Sequence, residues 1–342
     1  MKIYKLPIII PPIIGYLHHA HPLSIILNYK ESHEWFYSNY IQLCCEIGLE
    51  GKRIPFNFYG YEASLPEKNY PFLNIEKISK NVIQLTQLDI CTFLIKCIDL
   101  GYYVRASIDR YYIKTFTKDY KENHKYHEVL LFGFDNDEKT FLAYGYVDGF
   151  FKEAKISFHD FSQAFLNCLS QVAYQNDVYL FKYNGTYQYQ FDINLVTELL
   201  NDYLCSNNTS KRLSMFKNPL NLAFGIRVYH YIKQSIEVLF DNKHNYDIRP
   251  LHILWEHKKV MIERIKFMEM HGYIRKGKYP ISLYYNIEKE VLILRNKLIR
   301  YKITEETKIL KDILNAIDRI TLYEKNAIEL LLNEVHNSNI RS

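Results

Sequence analysis

The strongest constraint on what this chain can fold into lies between Gly101 and Asp135. Two apolar runs, Gly-Tyr-Tyr-Val-Arg-Ala-Ser-Ile-Asp (101–109) and His-Glu-Val-Leu-Leu-Phe-Gly-Phe-Asp (127–135), flank a segment rich in Lys, Tyr and His. Aromatic and β-branched residues between polar boundaries favour strands. The two runs are therefore expected to be neighbouring strands, Tyr102–Asp109 and Val129–Phe134, with the polar excursion between them. His127 then stands at the threshold of the second strand, where a rigid backbone holds an imidazole at the mouth of a sheet. Phe141–Val147 and Val178–Tyr183 read as further strands. Short links between sequential strands imply a largely antiparallel α+β sheet.

Helix signals surround these strands. Pro22 to Asn28 predicts a buried helix with Pro in its first turn. Thr86-Gln87-Leu88-Asp89 and Ser157-Phe158-His159-Asp160 have the spacing of capping boxes with Asp for Glu, introducing helices to Asp99 and to Cys168; Gly101 can close the first. From Asp192 the apolar period becomes 3.6, which predicts helices over Asp192–Cys205, Pro219–Phe240, Arg249–Met270, Ser282–Tyr301 and Glu305–Val335. Ser206–Arg212 reads as a linker. The division expected is residues 1–188 as the α+β domain and residues 189–342 as an all-α C-terminal domain.

The 342 residues suit two domains, and 48% hydrophobic with 24% charged residues suits sizeable cores. The 31 Tyr and 20 Phe are read as bulky core rather than binding walls. A net charge of +5 without a Gly-rich loop, basic arm or zinc spacing argues against a nucleic-acid partner. Between Leu251 and Lys302, 12 Lys/Arg face 5 Asp/Glu, which is a solvated face or a docking surface for an acidic protein. Cys44, Cys45, Cys91, Cys97, Cys168 and Cys205 include no C-x-x-C pair, so a reduced, cytoplasmic setting is expected. Pro7, Pro11 and Pro12 interrupt the N-terminal isoleucine runs, so no membrane span or signal segment is expected there.

Cysteine-nucleophile catalysis on a papain-like fold needs a thiol at a helix N-terminus, a histidine on a later strand and an Asp or Asn to hold that histidine. His127 fits the second role by position. His124, three residues earlier in the loop, competes with it.

Blocks 101–113 and His127–Asp135, closed by Ile156-Ser157-Phe158 and Ala164-Phe165, resemble the N-terminal domain family of butirosin biosynthesis protein H. That family is similar to papain-like peptidases, including those that process bacteriocin precursors. The resemblance covers residues 10–185. It implies a papain-like domain that transfers an acyl or aminoacyl group from an acyl or peptidyl carrier protein to a small-molecule amine or peptide, in the biosynthesis of a secondary metabolite. A Cys-His-Asp triad would act, with no cofactor.

Two positions depart from the family pattern. Where its nucleophile follows a histidine and opens the first helix, this chain reads His18-His19-Ala20-His21-Pro22. Where the orienting acid is expected, it reads Ala143-Tyr144-Gly145, with Asp148 three residues late. Three alternatives stay open: Cys44 or Cys45 supplies the thiol; the nucleophile has been replaced by mutation; or the fold is kept and the reaction lost. In the last case His18, His19 and His21 would line the old cleft; under every reading His18, His19, Ala20 and His21 are expected to share one cleft with His127, and Asp109 is a further substrate-binding candidate. A metal is not expected, because His19 and His21 share a face only on an extended strand and no carboxylate lies close in sequence. The leading expectation is acyl transfer with His127 as base and Asp148 as orienter. The alternative is an inactive relative that binds a carrier protein or a pathway product.

Overall fold

The computed structural model describes residues 3–48, 54–59, 70–168, 176–213 and 220–339. In chain order these form β1 (Ile3–Lys5), α1 (Leu17–Ile26), α2 (His33–Asn39), β2 (Leu43–Glu46), β3 (Phe56–Phe58), β4 (Leu73–Ser79), α3 (Lys80–Leu85), α4 (Ile90–Asp99), β5 (Tyr103–Asp109), β6 (Tyr126–Asp135), β7 (Thr140–Val147) and β8 (Phe150–Ser157). Then follow α5 (Phe158–Leu166), β9 (Asp177–Tyr183), α6 (Ile193–Cys205), β10 (Leu222–Phe224), α7 (Val228–Glu237), α8 (Arg249–Met270), α9 (Ser282–Thr304) and α10 (Thr307–Asn339).

The chain forms two compact units, and they do not follow the linear division at residue 188. The first takes Met1–Ser32 and Glu62–Gln188; the second takes His33–Tyr61 and Tyr189–Ser342. A segment from the N-terminal half thus belongs with the helices.

The first unit is built on an antiparallel sheet in the order β4-β9-β5-β6-β7-β8, with β1 added against β6. The two diagnostic runs are neighbouring strands, and Ile108 lies opposite His127. Gly133 is required where β1 crosses: a Cβ there would come within 2.4 Å of the Tyr4 carbonyl oxygen. The pleat separates two buried faces. Phe141 meets Phe158 and Phe161 of α5, whereas Phe151, on the opposite pleat by the β7–β8 register, meets His21 of α1.

Of the two expected capping boxes the one at Ser157 holds, and Asp192 caps a further helix. Ser157 accepts from the Asp160 N–H at 3.0 Å, and Asp192 accepts from the Leu195 N–H at 2.9 Å. At the earlier box, Asp89 rather than Thr86 is the cap, accepting from Thr92 at 2.8 Å. Thr86 instead closes α3, its hydroxyl donating to the Ile83 carbonyl. The first helix starts five residues before the expected position, so Pro22 sits inside it.

The second unit is not all-α. β10, β2 and β3 form a small antiparallel sheet, with Ala223 opposite Cys45. The expected helix from Pro219 to Phe240 therefore begins with a strand, and α7 starts only at Val228. Gly225 makes the break: its φ is +57°, and a Cβ there would lie 2.1 Å from the Tyr203 carbonyl oxygen. Ser206–Arg212 is not a linker. Ser206 ends α6 in the left-handed region, and buried Thr209 donates to Asp202 and accepts from Gln42. The basic excess over Leu251–Lys302 is not a single solvated face either. Lys258 and Arg264 lie in the core, the latter donating to the carbonyls of Tyr37 and Tyr40, while Lys266, Arg275 and Lys297 pair with Glu263, Glu334 and Asp312.

Candidate functional site

The residues flagged around Ala20 lie on α1, against the β5–β8 side of the first unit. Ala20 and His21 are fully buried and His19 is 1% exposed. They belong to packed core rather than to an open cleft wall. Proline inside a helix leaves the carbonyl four residues earlier without its usual donor, and here that carbonyl, of His18, accepts from the Tyr70 hydroxyl at 2.8 Å. The same hydroxyl lies 3.3 Å from His19 Nδ1. Tyr70 thus fixes the helix turn that carries the three histidines.

Arg105 and Glu128 face this helix from the sheet. The register puts Glu128 opposite Ser107 and leaves Arg105 two residues along on the same pleat, with its Nε 3.4 Å from Glu128 Oε1. The guanidinium also stacks 4.1 Å from the Tyr179 ring. Its positive charge and burial together keep the nearby imidazoles neutral. Burial pushes His18 and His21 well below the usual imidazole range; His19 and Arg105 add to the effect on His18, and Arg105 and His127 to that on His21. Neither nitrogen of His21 has a hydrogen-bond partner of acceptable geometry, and the Tyr144 carbonyl only weakly opposes its neutrality.

His127 takes part electrostatically, but it lies on the opposite pleat from Arg105 and Glu128, paired with Ile108. Burial, then the Arg110 guanidinium, push its pKa down to about 4. Its Nδ1 faces the Glu128 carbonyl at 3.4 Å. Asp148 does not orient it. The Asp148 carboxylate, at φ +52° in the β7–β8 turn, instead accepts from the Thr117 hydroxyl at 3.0 Å and from the Lys118 N–H at 3.4 Å.

A carboxylate does hold one histidine of this unit, His124. Its Nδ1 lies 2.6 Å from Asp109 Oδ2 and donates to it, since a carboxylate can only accept. Asp109 is fully buried, and its other oxygen accepts from the Tyr111 and Lys125 N–H groups at 3.1 Å each. His124 is itself largely solvent-facing and stacks on Tyr111 at 4.2 Å. Tyr111 and Tyr112 lead from this pair into a cavity of about 350 Å³, closed by Tyr120, Lys121, His159 and Asp160. Asp109 therefore holds the loop and its imidazole. The sequence offers His124 as the competitor of His127, but its spacing carries no sign that a strand-end carboxylate pairs with that loop.

Cys44 and Cys45 lie in β2, in the other unit from His127. Burial raises both thiols to about 12, which suppresses thiolate. None of the six cysteines, all among the described residues, is joined in a disulfide. Among the described residues no group of three His, Cys, Asp or Glu is arranged to hold a metal ion, and no helix is long and apolar enough to cross a membrane. No protein-family model matches this chain, and no curated protein is significantly similar to it.

Proposed function

We propose that the chain is a non-catalytic relative of the papain-like acyltransferases, binding a carrier protein or the product of a small-metabolite pathway. Ala20 carries this reading. By the resemblance it stands where the nucleophile would be expected; it has no exposed surface, and its methyl cannot attack a thioester. The supporting chemistry agrees. A histidine pushed down to about 4 is a weak base at neutral pH, and its Nδ1 faces a backbone carbonyl rather than a carboxylate. Acyl transfer through Cys44 or Cys45 would need thiols that ionise far more readily than these. The tyrosine-lined cavity beside Asp109 and His124 offers stacking faces and polar groups to a small amine or peptide-like product.

Single-turnover incubation with an acyl-carrier thioester, alongside isothermal titration with the carrier and candidate amines, tests the proposal. Binding without thiol release is expected, and His127→Ala should change affinity by no more than about 1 kcal/mol, the worth of one hydrogen bond. Catalytic thiol release that His127→Ala slows by about a hundredfold would instead establish the transferase reading.

A further inference from the structure

We propose that the second unit carries a binding site for a phosphate monoester, in the cavity between the N-terminus of α7 and the face of α10 that bears Asp318, Thr321 and Lys325. The cavity measures about 380 Å³ and takes Ser206, Arg227, His230, Lys233, Asp318 and Lys325 into its walls, with buried Tyr229 below them. Its charges do not cancel. Lys233 is neutralised by Asp318, whose two oxygens lie 2.8 and 2.7 Å from the ammonium. Arg227 and Lys325, both exposed, have no carboxylate partner among the described residues. Arg227 is held instead by the Tyr231 hydroxyl at 3.3 Å, which leaves most of its donor fork open.

Three further features favour a tetrahedral dianion. Ser206 accepts from the Arg227 N–H at 2.9 Å, so its own hydroxyl hydrogen remains to donate. Ile226, Arg227, Tyr229 and His230 straddle the first turn of a ten-residue helix, placing the positive end of its dipole at the cavity. The two unpartnered cations match the charge of about −1.5 to −2 that a phosphate monoester carries at neutral pH. An arginine fork and a lysine on different elements can engage different oxygens of one phosphate, which a flat carboxylate cannot offer. The volume falls in the range of small-ligand sites, about 300–1,000 Å³, so there is room for the group that bears the phosphate.

The experiment titrates the full chain calorimetrically with inorganic phosphate, free O-phosphoserine, a phosphoserine peptide and its unphosphorylated counterpart. Phosphate-bearing probes are expected to bind, more weakly as salt rises, and the unphosphorylated peptide is not. Arg227→Gln and Lys325→Gln should each weaken binding about tenfold, with melting temperatures unchanged because both side chains are exposed. Preference for the free monoester identifies a small-molecule ligand; preference for the peptide identifies a phosphorylated partner. Absence of binding by every phosphate probe, or equal binding by wild type and the Arg227→Gln/Lys325→Gln double variant, overturns the site.

Discussion

The Tyr70 hydroxyl donates to the His18 carbonyl at 2.8 Å and so serves the acceptor that Pro22, four residues on, has no N–H to reach. A helix interrupted by proline inside a core needs such a substitute donor. Tyr70→Phe is expected to destabilise the fold by about 1–2 kcal/mol, the cost of a buried acceptor left unmade. Adding Pro22→Ala restores the helical donor and should return part of that loss. Urea denaturation of the two single variants and the double variant measures the coupling, and additive losses would show that the two residues act independently.

Acid should weaken the protein before the carboxylates titrate. His127 is pushed from 6.5 to about 4 in the folded state, and His18, His21 and His257 are also lowered by burial. A depressed histidine contributes its stability in full above the unfolded value and loses it as pH falls through the folded one. Stability is thus expected to decline from about pH 6.5 toward 4, with proton uptake on unfolding. His127 accounts for at most about 3 kcal/mol of this, and His127→Gln should flatten the profile. A denaturation midpoint that stays constant across that interval would contradict the buried-neutral assignment.

Asp109 is expected to anchor the loop through His124. Asp109→Ala removes the acceptor of the His124 ring and of the Tyr111 and Lys125 N–H groups. A loss of about 2–3 kcal/mol and faster amide exchange at Tyr111 and Lys125 should follow. His124→Ala, which leaves both backbone bonds in place, should cost clearly less. Reversed magnitudes would mean that the imidazole, not the backbone, is what the carboxylate is there to hold.

In the second unit Glu324 is fully buried and meets Lys258 at 2.5 Å and the hydroxyls of Tyr229 and Tyr203 at 2.5 and 3.2 Å. Burial, followed by the charge of Glu324, raises both phenols well above their usual range, so both stay protonated as donors. Lys258→Met leaves that carboxylate without its cation and should cost about 3–5 kcal/mol. The Lys258→Met/Glu324→Leu pair should lose less than the sum of the single changes, because no unpaired charge remains in the core. Thermal melts of the three variants read this directly.

Local chemistry settled the elements. Apolar runs between polar boundaries marked β5, β6, β7 and β9, side-chain acceptors at Ser157, Asp89 and Asp192 set helix starts, and the 3.6 period gave α8 its observed ends, Arg249 and Met270. Each of these signals acts between residues a few positions apart, so it is written in the sequence. The tertiary structure alone decided what depends on distant residues meeting. It placed β2 against β10, and so put Cys44 and Cys45 in the second unit. It paired His127 with Ile108 and gave the buried carboxylate of Asp109 to His124. It drew Lys258 from a run of apparently solvated cations into the core beside Glu324. A strand's pleat, a loop's return and the partner of a buried charge are set by which surfaces can be buried together, and sequence spacing carries no record of that.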